Sequence, residues 1–216
     1  MIKAIIFDMD GVLVDSEPYY QQVLLKCLKN FGIDATQKDL LKLAGGTTQH
    51  YDAVINPLLE GFVSRNDFDD YCHQYYIDDP IDYSKLLFPH TKDLLITLKK
   101  EGFRLVVASS SKQYEIENVL QQCQLKDCFE FIMSGDMFVE SKPNPEIYIT
   151  CVQELGLKSE ECIAIEDSEY GITAAKEAGL ICIARKDNRF GYHQDRADYF
   201  IEESLEILSL IKELKT

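Results

Sequence analysis

No two of the seven cysteines (Cys27, Cys72, Cys123, Cys128, Cys151, Cys162, Cys182) stand in CxxC spacing, so the usual signatures of a zinc cluster or a dithiol redox motif are missing. Several fall in apolar stretches, where a free thiol behaves as a small hydrophobe, and the odd count suits a reducing compartment. Basic residues are scarce as well: 22 Lys and Arg against 37 Asp and Glu give a formal net charge of −15. That balance disfavours nucleic acid and anionic membranes, both polyanions, as partners. No apolar run approaches the roughly 18 residues of a membrane-spanning helix. The opening stretch 1–7 is too short for a signal peptide and is interrupted at once by Asp8. Internal repeats, low-complexity tracts and long Gly/Ser linkers are absent. These absences predict a soluble, cytoplasmic protein with neither nucleic acid nor membrane as partner.

What the chain does have is a rhythm. Five short apolar runs, at 4–7, 105–108, 129–133, 162–165 and 181–184, each give way immediately to polar or small residues. Unbroken runs of this length suit parallel strands buried on both faces. Between the later ones, 91–100, 114–122 and 146–155 have helical periodicity, and strand–helix alternation predicts an α/β fold with a Rossmann-like, doubly wound parallel sheet. In such sheets the ligand lies beyond the carboxyl ends of the strands, where every polar cluster falls. Residues 15–85 read differently. Leu24, Leu25 and Leu28 share one side of a helix over 18–31 that ends before Gly32, Thr36 and Asp39 mark another helix start, and 49–59 and 66–76 read as further helices. The expected organisation is an α/β core at 1–14 and 86–216, with a helical bundle at 15–85 inserted after the first strand.

The carboxylates carry the chemistry. Asp8-Met9-Asp10-Gly11 closes the first strand, and period-two alternation puts Asp8 and Asp10 on the same side, with Gly11 letting the backbone turn towards a ligand. Glu166-Asp167 ends another strand. In isolation either pair also fits a solvated or helix-capping role. Together they do not, because at 4 Å and an effective dielectric near 20 each like-charge contact costs about 4 kcal/mol. A counter-charge is required, and magnesium, which favours carboxylates and phosphate oxygens, is the natural candidate. Lys142, in Ser141-Lys142-Pro143, offers a second positive charge, though an exposed loop lysine would look the same in sequence. Ser109, Ser110 and Ser111 could donate to a phosphate or cap the helix that follows.

Asp8-x-Asp10-Gly11-Val12-Leu13-Val14-Asp15-Ser16-Glu17, then Ser109, then Lys142-Pro143, then Glu166-Asp167-Ser168-x-x-Gly171, resemble the four ordered motifs of the haloacid dehalogenase superfamily. The helical insert after the first motif, and Ala174, Ala175, Ala178 and Gly179 after Gly171, are similar to the β-phosphoglucomutase-like branch. The resemblance implies a magnesium-dependent phosphatase acting on a small phosphorylated metabolite, with the chain expected to work as a monomer. It implies that Asp8 attacks phosphorus to form an aspartyl-phosphate and that Asp10 serves as acid and then base. Ser109, Ser110 and Lys142 would bind the transferring phosphoryl group. Asp8, Asp10 (through its backbone carbonyl), Glu166 and Asp167 would hold the metal. Dehalogenases proper lack the second aspartate and the metal site, so Asp10 and Glu166-Asp167 point to phosphoryl chemistry.

Phosphatase and mutase remain to be separated. Mutases of this branch carry a cap arginine that grips a distal phosphate; the matching loop here is Gly45-Gly46-Thr47-Thr48, with threonine in its place. Tyr20 stands where they have histidine, and 66–82 contains no lysine. Without a cationic clamp a bisphosphate is harder to hold, which favours water as acceptor and leaves Thr47 and Thr48 as candidate substrate contacts. The segment 185–191 could form a cationic rim or a solvated loop. His50, His73, His90 and His193 are scattered and receive no catalytic role.

Overall fold

The computed structural model describes residues 1–43 and 48–214. The chain divides into two compact units, one of Met1–Asp15 with Tyr83–Thr216 and the other of Ser16–Asp82.

In chain order, strand β1 (Ala4–Phe7) is followed by the helices of the second unit: α1 (Glu17–Asn30), α2 (Gln37–Leu40), α3 (Thr48–Leu59) and α4 (Arg65–Asp78). The first unit resumes with α5 (Thr91–Lys100), β2 (Arg104–Ser109), α6 (Gln113–Gln122), β3 (Phe131–Ser134) and α7 (Glu146–Glu154). It continues through β4 (Cys162–Glu166), α8 (Glu169–Glu177), β5 (Ile181–Arg185), β6 (Tyr199–Ile201) and α9 (Glu206–Leu214).

The six strands form one parallel sheet in the order β3-β2-β1-β4-β5-β6. This is the Rossmann-like, doubly wound arrangement the sequence predicts. The strand order reverses between β1 and β4, which makes their carboxyl ends the topological switch point. In register, Phe7 pairs with Val107 on one side and Ile165 on the other, so Asp8 and Glu166 emerge at the same edge. Ala4, Ile6, Val106, Ala108, Ala164 and Cys182 turn to one face of the sheet and pack with Ile147, Tyr148 and Cys151 of α7 and Ile172, Ala174 and Ala175 of α8. The small residues of α8 let that helix lie close to the sheet, and Gly179, at φ 77°, ends the turn that follows it.

Strand β6 is the one strand the sequence reading does not anticipate, its apolar run being no longer than Tyr199–Ile201. It is an edge of three residues with Phe200 exposed. Tyr83 belongs with the α/β unit, three residues earlier than the expected boundary. It is buried there, its N–H donates to the Gln122 side chain at 2.9 Å, and its carbonyl accepts the Cys123 thiol at 3.4 Å.

The second unit has its own core of Val23, Leu24, Cys27, Leu28, Ile33, Leu40, Ile55, Leu59 and Phe68. Gly32, at φ 76°, closes α1, with the N–H of Ile33 returning to the Leu28 carbonyl at 3.1 Å. Among its described residues this unit contains no strand.

Candidate active site

Asp8 follows directly on β1, its N–H donating to the Ile165 carbonyl at 2.9 Å and extending the ladder by one rung. The chain then closes a tight loop. The N–H groups of Val12, Leu13 and Val14 all point to the Met9 carbonyl, at 3.3, 2.8 and 3.2 Å, and that of Gly11 reaches the Val14 carbonyl at 2.8 Å. Gly11 sits at φ 78°, and a Cβ there would collide with the Asp167 carboxylate. Only glycine satisfies both conditions.

Lys142 is no exposed loop lysine. It is 5% exposed, and its ammonium donates to Asp8 Oδ1 at 2.6 Å, Glu166 Oε1 at 2.6 Å and the Ala108 carbonyl at 2.9 Å, which uses all three of its protons. The Tyr148 hydroxyl donates to the same Glu166 oxygen at 2.5 Å, and the Tyr148 ring lies 5.0 Å from the ammonium. The other Glu166 oxygen accepts the Asp167 N–H at 3.1 Å. A Cβ on Gly171 would strike the Glu166 carboxylate, so the first turn of α8 can approach β4 only with glycine there. One carboxylate oxygen from each of Asp8, Glu166 and Asp167 lies within 4.8 Å of the other two.

One ammonium does not neutralise three carboxylates. Burial, the Glu166 charge and Asp10 raise the Asp8 carboxyl against the pull of Lys142, to about 8. Burial, then Glu166 and Asp8, push Asp167 well above the usual carboxylate range. Burial works against the Lys142 ammonium but is outweighed by Asp8 and Glu166, which raise its pKa. A buried all-oxygen donor set with excess negative charge is what a hard divalent cation such as Mg2+ requires, so the residues present fit that ion.

The Asp10 carboxylate is not among these three. It is half-buried beyond the strand end, and its Oδ2 accepts a hydrogen bond from the Ser111 hydroxyl at 3.0 Å. Ser109 is buried at the end of β2 and takes the Ser111 N–H at 3.1 Å; Ser110 is exposed and accepts from the Ser141 hydroxyl at 2.8 Å. The helix α6 starts later, at Gln113, so none of the three serines is its capping residue. That role is filled elsewhere by Ser168, whose hydroxyl accepts the Gly171 N–H at 3.1 Å at the start of α8.

The sequence motifs therefore bring together Asp8, Lys142, Glu166 and Asp167, with Asp10 and Ser109 alongside. Thr47 lies outside the described residues; Thr48 opens α3. Tyr148 and Gln194 have no counterpart in the sequence reading. Gln194 is buried and donates to the backbone carbonyls of Asp167 and, at 2.7 Å, Arg185. The cations of 185–191 are engaged within the protein: Arg185 over the Phe88 ring, Lys186 towards Glu202, and Arg189 with Asp15 and Asp187.

A buried lysine–carboxylate centre at the switch point of a doubly wound sheet defines an α/β enzyme of the phosphoryl-transfer kind. Comparison with known proteins agrees. The profile of the haloacid dehalogenase-like hydrolases matches residues 5–185. Hexitol phosphatase B of Escherichia coli K12 is 29% identical over 202 residues, covering 88% of each chain. A phosphorylated carbohydrates phosphatase of Thermotoga maritima is 30% identical over 181 residues, 83% of this chain and 82% of its own. The β-phosphoglucomutase of Clostridium difficile superposes with a TM-score of 0.80 at 26% identity, over 99% of this chain and 97% of that one. The chain belongs to the haloacid dehalogenase-like hydrolase family, in its β-phosphoglucomutase-like branch.

Proposed function

We propose that this enzyme is a magnesium-dependent phosphatase that hydrolyses small phosphate monoesters, sugar phosphates foremost, through an aspartyl-phosphate on Asp8. The observation that carries the reading is the Lys142 ammonium shared at 2.6 Å between Asp8 and Glu166, with Asp167 beside them. Lysine holds Asp8 Oδ1, so the second Asp8 oxygen is the one that would attack phosphorus in line with the leaving group. Asp10 would give its proton to the departing oxygen, then take one from the water that releases phosphate, while the Ser111 hydroxyl keeps its carboxylate aimed. Ser109 and Ser110 would hold the transferring phosphoryl oxygens, and Lys142 would join them by turning one proton away from its three present acceptors.

Asp8, Glu166 and Asp167, with the Asp10 backbone carbonyl, would hold Mg2+, which when bound neutralises charge on the carboxylates and the phosphoryl group. The Ser16–Asp82 unit would act as the cap, with Thr47 and Thr48 as substrate contacts, and the enzyme would work as a cytoplasmic monomer. Hexitol phosphatase B and the phosphorylated carbohydrates phosphatase, both among its relatives, support a phosphorylated carbohydrate as substrate class. The similarity to β-phosphoglucomutase supports a second reading, a sugar phosphate mutase. Threonine at 47 and 48 and the absence of lysine from 66–82 favour water as acceptor over a bisphosphate.

The test is phosphate release from a panel of sugar, nucleotide and aryl phosphates, in magnesium and in chelator. β-Glucose 1-phosphate with a trace of the bisphosphate is followed in parallel by phosphorus NMR. Magnesium-dependent free phosphate, lost in Asp8→Asn, is the expected result. Clean conversion to glucose 6-phosphate without free phosphate would establish the mutase instead. Turnover that survives Asp8→Asn would refute the covalent mechanism.

A further inference from the structure

The chain leaves the α/β unit after Asp15 and rejoins it at Tyr83. On the α/β side the outgoing and returning segments are tied to each other. The Asp15 N–H donates to the Leu86 carbonyl at 2.7 Å, the Phe88 N–H donates to the Leu13 carbonyl at 3.0 Å, and Val14 bridges Leu87 in antiparallel fashion. Two strands this short do not hold together unaided. The connection between β5 and β6 supplies the missing support.

Arg189 grips the outgoing segment with both ends of its guanidinium, Nη1 donating to Asp15 Oδ2 at 2.9 Å and Nη2 to Asp15 Oδ1 at 2.7 Å. The same guanidinium is fixed from behind by Asp187, through Nε to Oδ1 at 3.0 Å and Nη2 to Oδ2 at 2.6 Å, and the Arg189 N–H closes on Asp187 Oδ1 at 2.8 Å. Arg185 takes the returning segment. Its guanidinium lies 3.6 Å from the centre of the Phe88 ring, and Nη1 donates to the Ser204 hydroxyl at 3.2 Å. Gln194, from the same connection, joins the Arg185 carbonyl to the Asp167 carbonyl. One short segment thus touches the outgoing chain, the returning chain and the backbone of the acidic centre.

We infer that Arg185 and Arg189 are positioning residues that clamp the paired linkers onto the sheet edge and set how far they bend when substrate binds. An isolated surface ion pair contributes little, but a fork on a carboxylate whose arginine is already immobilised by a second carboxylate loses less freedom in forming. Neither arginine touches the reacting groups; both act through Asp15 and Phe88. The structural half of the inference is independent of the proposed reaction, and the kinetic half rests on it.

The experiment compares the full-length enzyme with Arg189→Gln, Arg189→Lys, Asp15→Asn and the Asp15→Asn/Arg189→Gln double variant, by hydrogen exchange and steady-state kinetics. In Arg189→Gln, exchange at the amides of Asp15 and Phe88 should rise about tenfold, with β1, β2 and β4 unchanged, as expected when one local contact is released. The double variant should exchange no faster than the faster single one, because both changes break the same fork. Lysine keeps the charge without the fork and should restore only part of the protection. KM for the sugar phosphate chosen from the panel should rise roughly fivefold, while kcat on a small aryl phosphate stays within about twofold, the signature of misplaced linkers rather than lost chemistry. Unchanged linker exchange in Arg189→Gln, or faster exchange spread through the strands, would overturn the clamp. Faster linker exchange with an unchanged KM would overturn its kinetic role. If the wild-type chain turns over no phosphate ester, the phosphatase reading fails and the exchange data alone decide the clamp.

Discussion

A lysine sealed among three carboxylates cannot be replaced quietly. Lys142 offers one charge and three protons, and Asp8, Glu166 and the Ala108 carbonyl take all three. Lys142→Gln keeps much of the volume but removes the charge, leaving the buried carboxylates without a counter-charge. Breaking a buried pair from one side costs roughly 3–5 kcal/mol, so the cation-free variant should unfold at a clearly lower denaturant concentration. Loss of an electrostatic contact to the transferring group should also reduce kcat by about 10²–10³-fold. Denaturant unfolding in chelator and in magnesium checks the first expectation. Because a divalent cation competes for the same oxygens, magnesium should restore part of the lost stability without restoring turnover. A variant as stable as the parent in chelator would show that Lys142 does not hold the carboxylates together. At this scale the sequence discloses the charged residues and conceals their partners. Asp8, Glu166 and Asp167 are legible because each stands at the end of an apolar run. Tyr148 is not: its hydroxyl meets Glu166 only through the packing of α7 on the sheet, 18 residues away in the chain.

Elements show the same division between what local pattern encodes and what packing decides. Strands β1, β2, β4 and β5 are buried on both faces and read as unbroken apolar runs. For β3 the run begins two residues before the strand, because Phe129 packs edge-on against Phe7, at 6.1 Å between centroids, before the chain joins the ladder. Strand β6, only three residues long, is too short to read as a strand, and α9, which buries Ile207 and Ile211 four residues apart, is likewise missing from the sequence reading. The edge of the sheet also carries a pH dependence. Arg104, at the start of β2, donates from Nε to Glu130 Oε2 at 2.7 Å, just before β3, and a second nitrogen reaches Glu130 Oε1. This fork holds the Glu130 carboxyl below its usual range, against a smaller effect of burial. A carboxyl lowered on folding adds stability above its unfolded value and loses it as pH falls through its folded value. Glu130→Gln should therefore cost stability at neutral pH and nothing once Glu130 is protonated in both states. With both side chains more than a third exposed, solvent screening limits the difference to roughly 0.2–1 kcal/mol. Urea melts of both proteins at falling pH test it; a difference that does not shrink as the pH falls would mean that the glutamate acts through packing rather than charge.

Over the whole molecule, a net charge of −15 makes the folded state repel itself, and the repulsion is sharpest where three carboxylates share one buried pocket. General ionic strength and a specific divalent ion should relieve it differently. Monovalent salt screens exposed charges over about 8–10 Å and reaches a buried cluster poorly. A cation bound only by the folded state stabilises by mass action, about 2.7 kcal/mol at 100 times its dissociation constant. For a chain of this size each kcal/mol raises the melting temperature by roughly 2–4 °C. Magnesium should therefore raise the melting temperature by several degrees over potassium chloride of equal ionic strength, and chelator should reverse the gain. Asp167→Asn removes one carboxylate donor from the pocket and should abolish most of the magnesium-specific shift. Arg189→Gln, whose ion pairs are with Asp15 and Asp187 rather than with the three buried carboxylates, should keep it. The comparison separates a built cation site from diffuse attraction to an acidic protein. Equal shifts in magnesium and in matched potassium chloride, or a shift that survives Asp167→Asn intact, would assign the effect to the surface and leave the buried carboxylates to be balanced by Lys142 and by protonation alone.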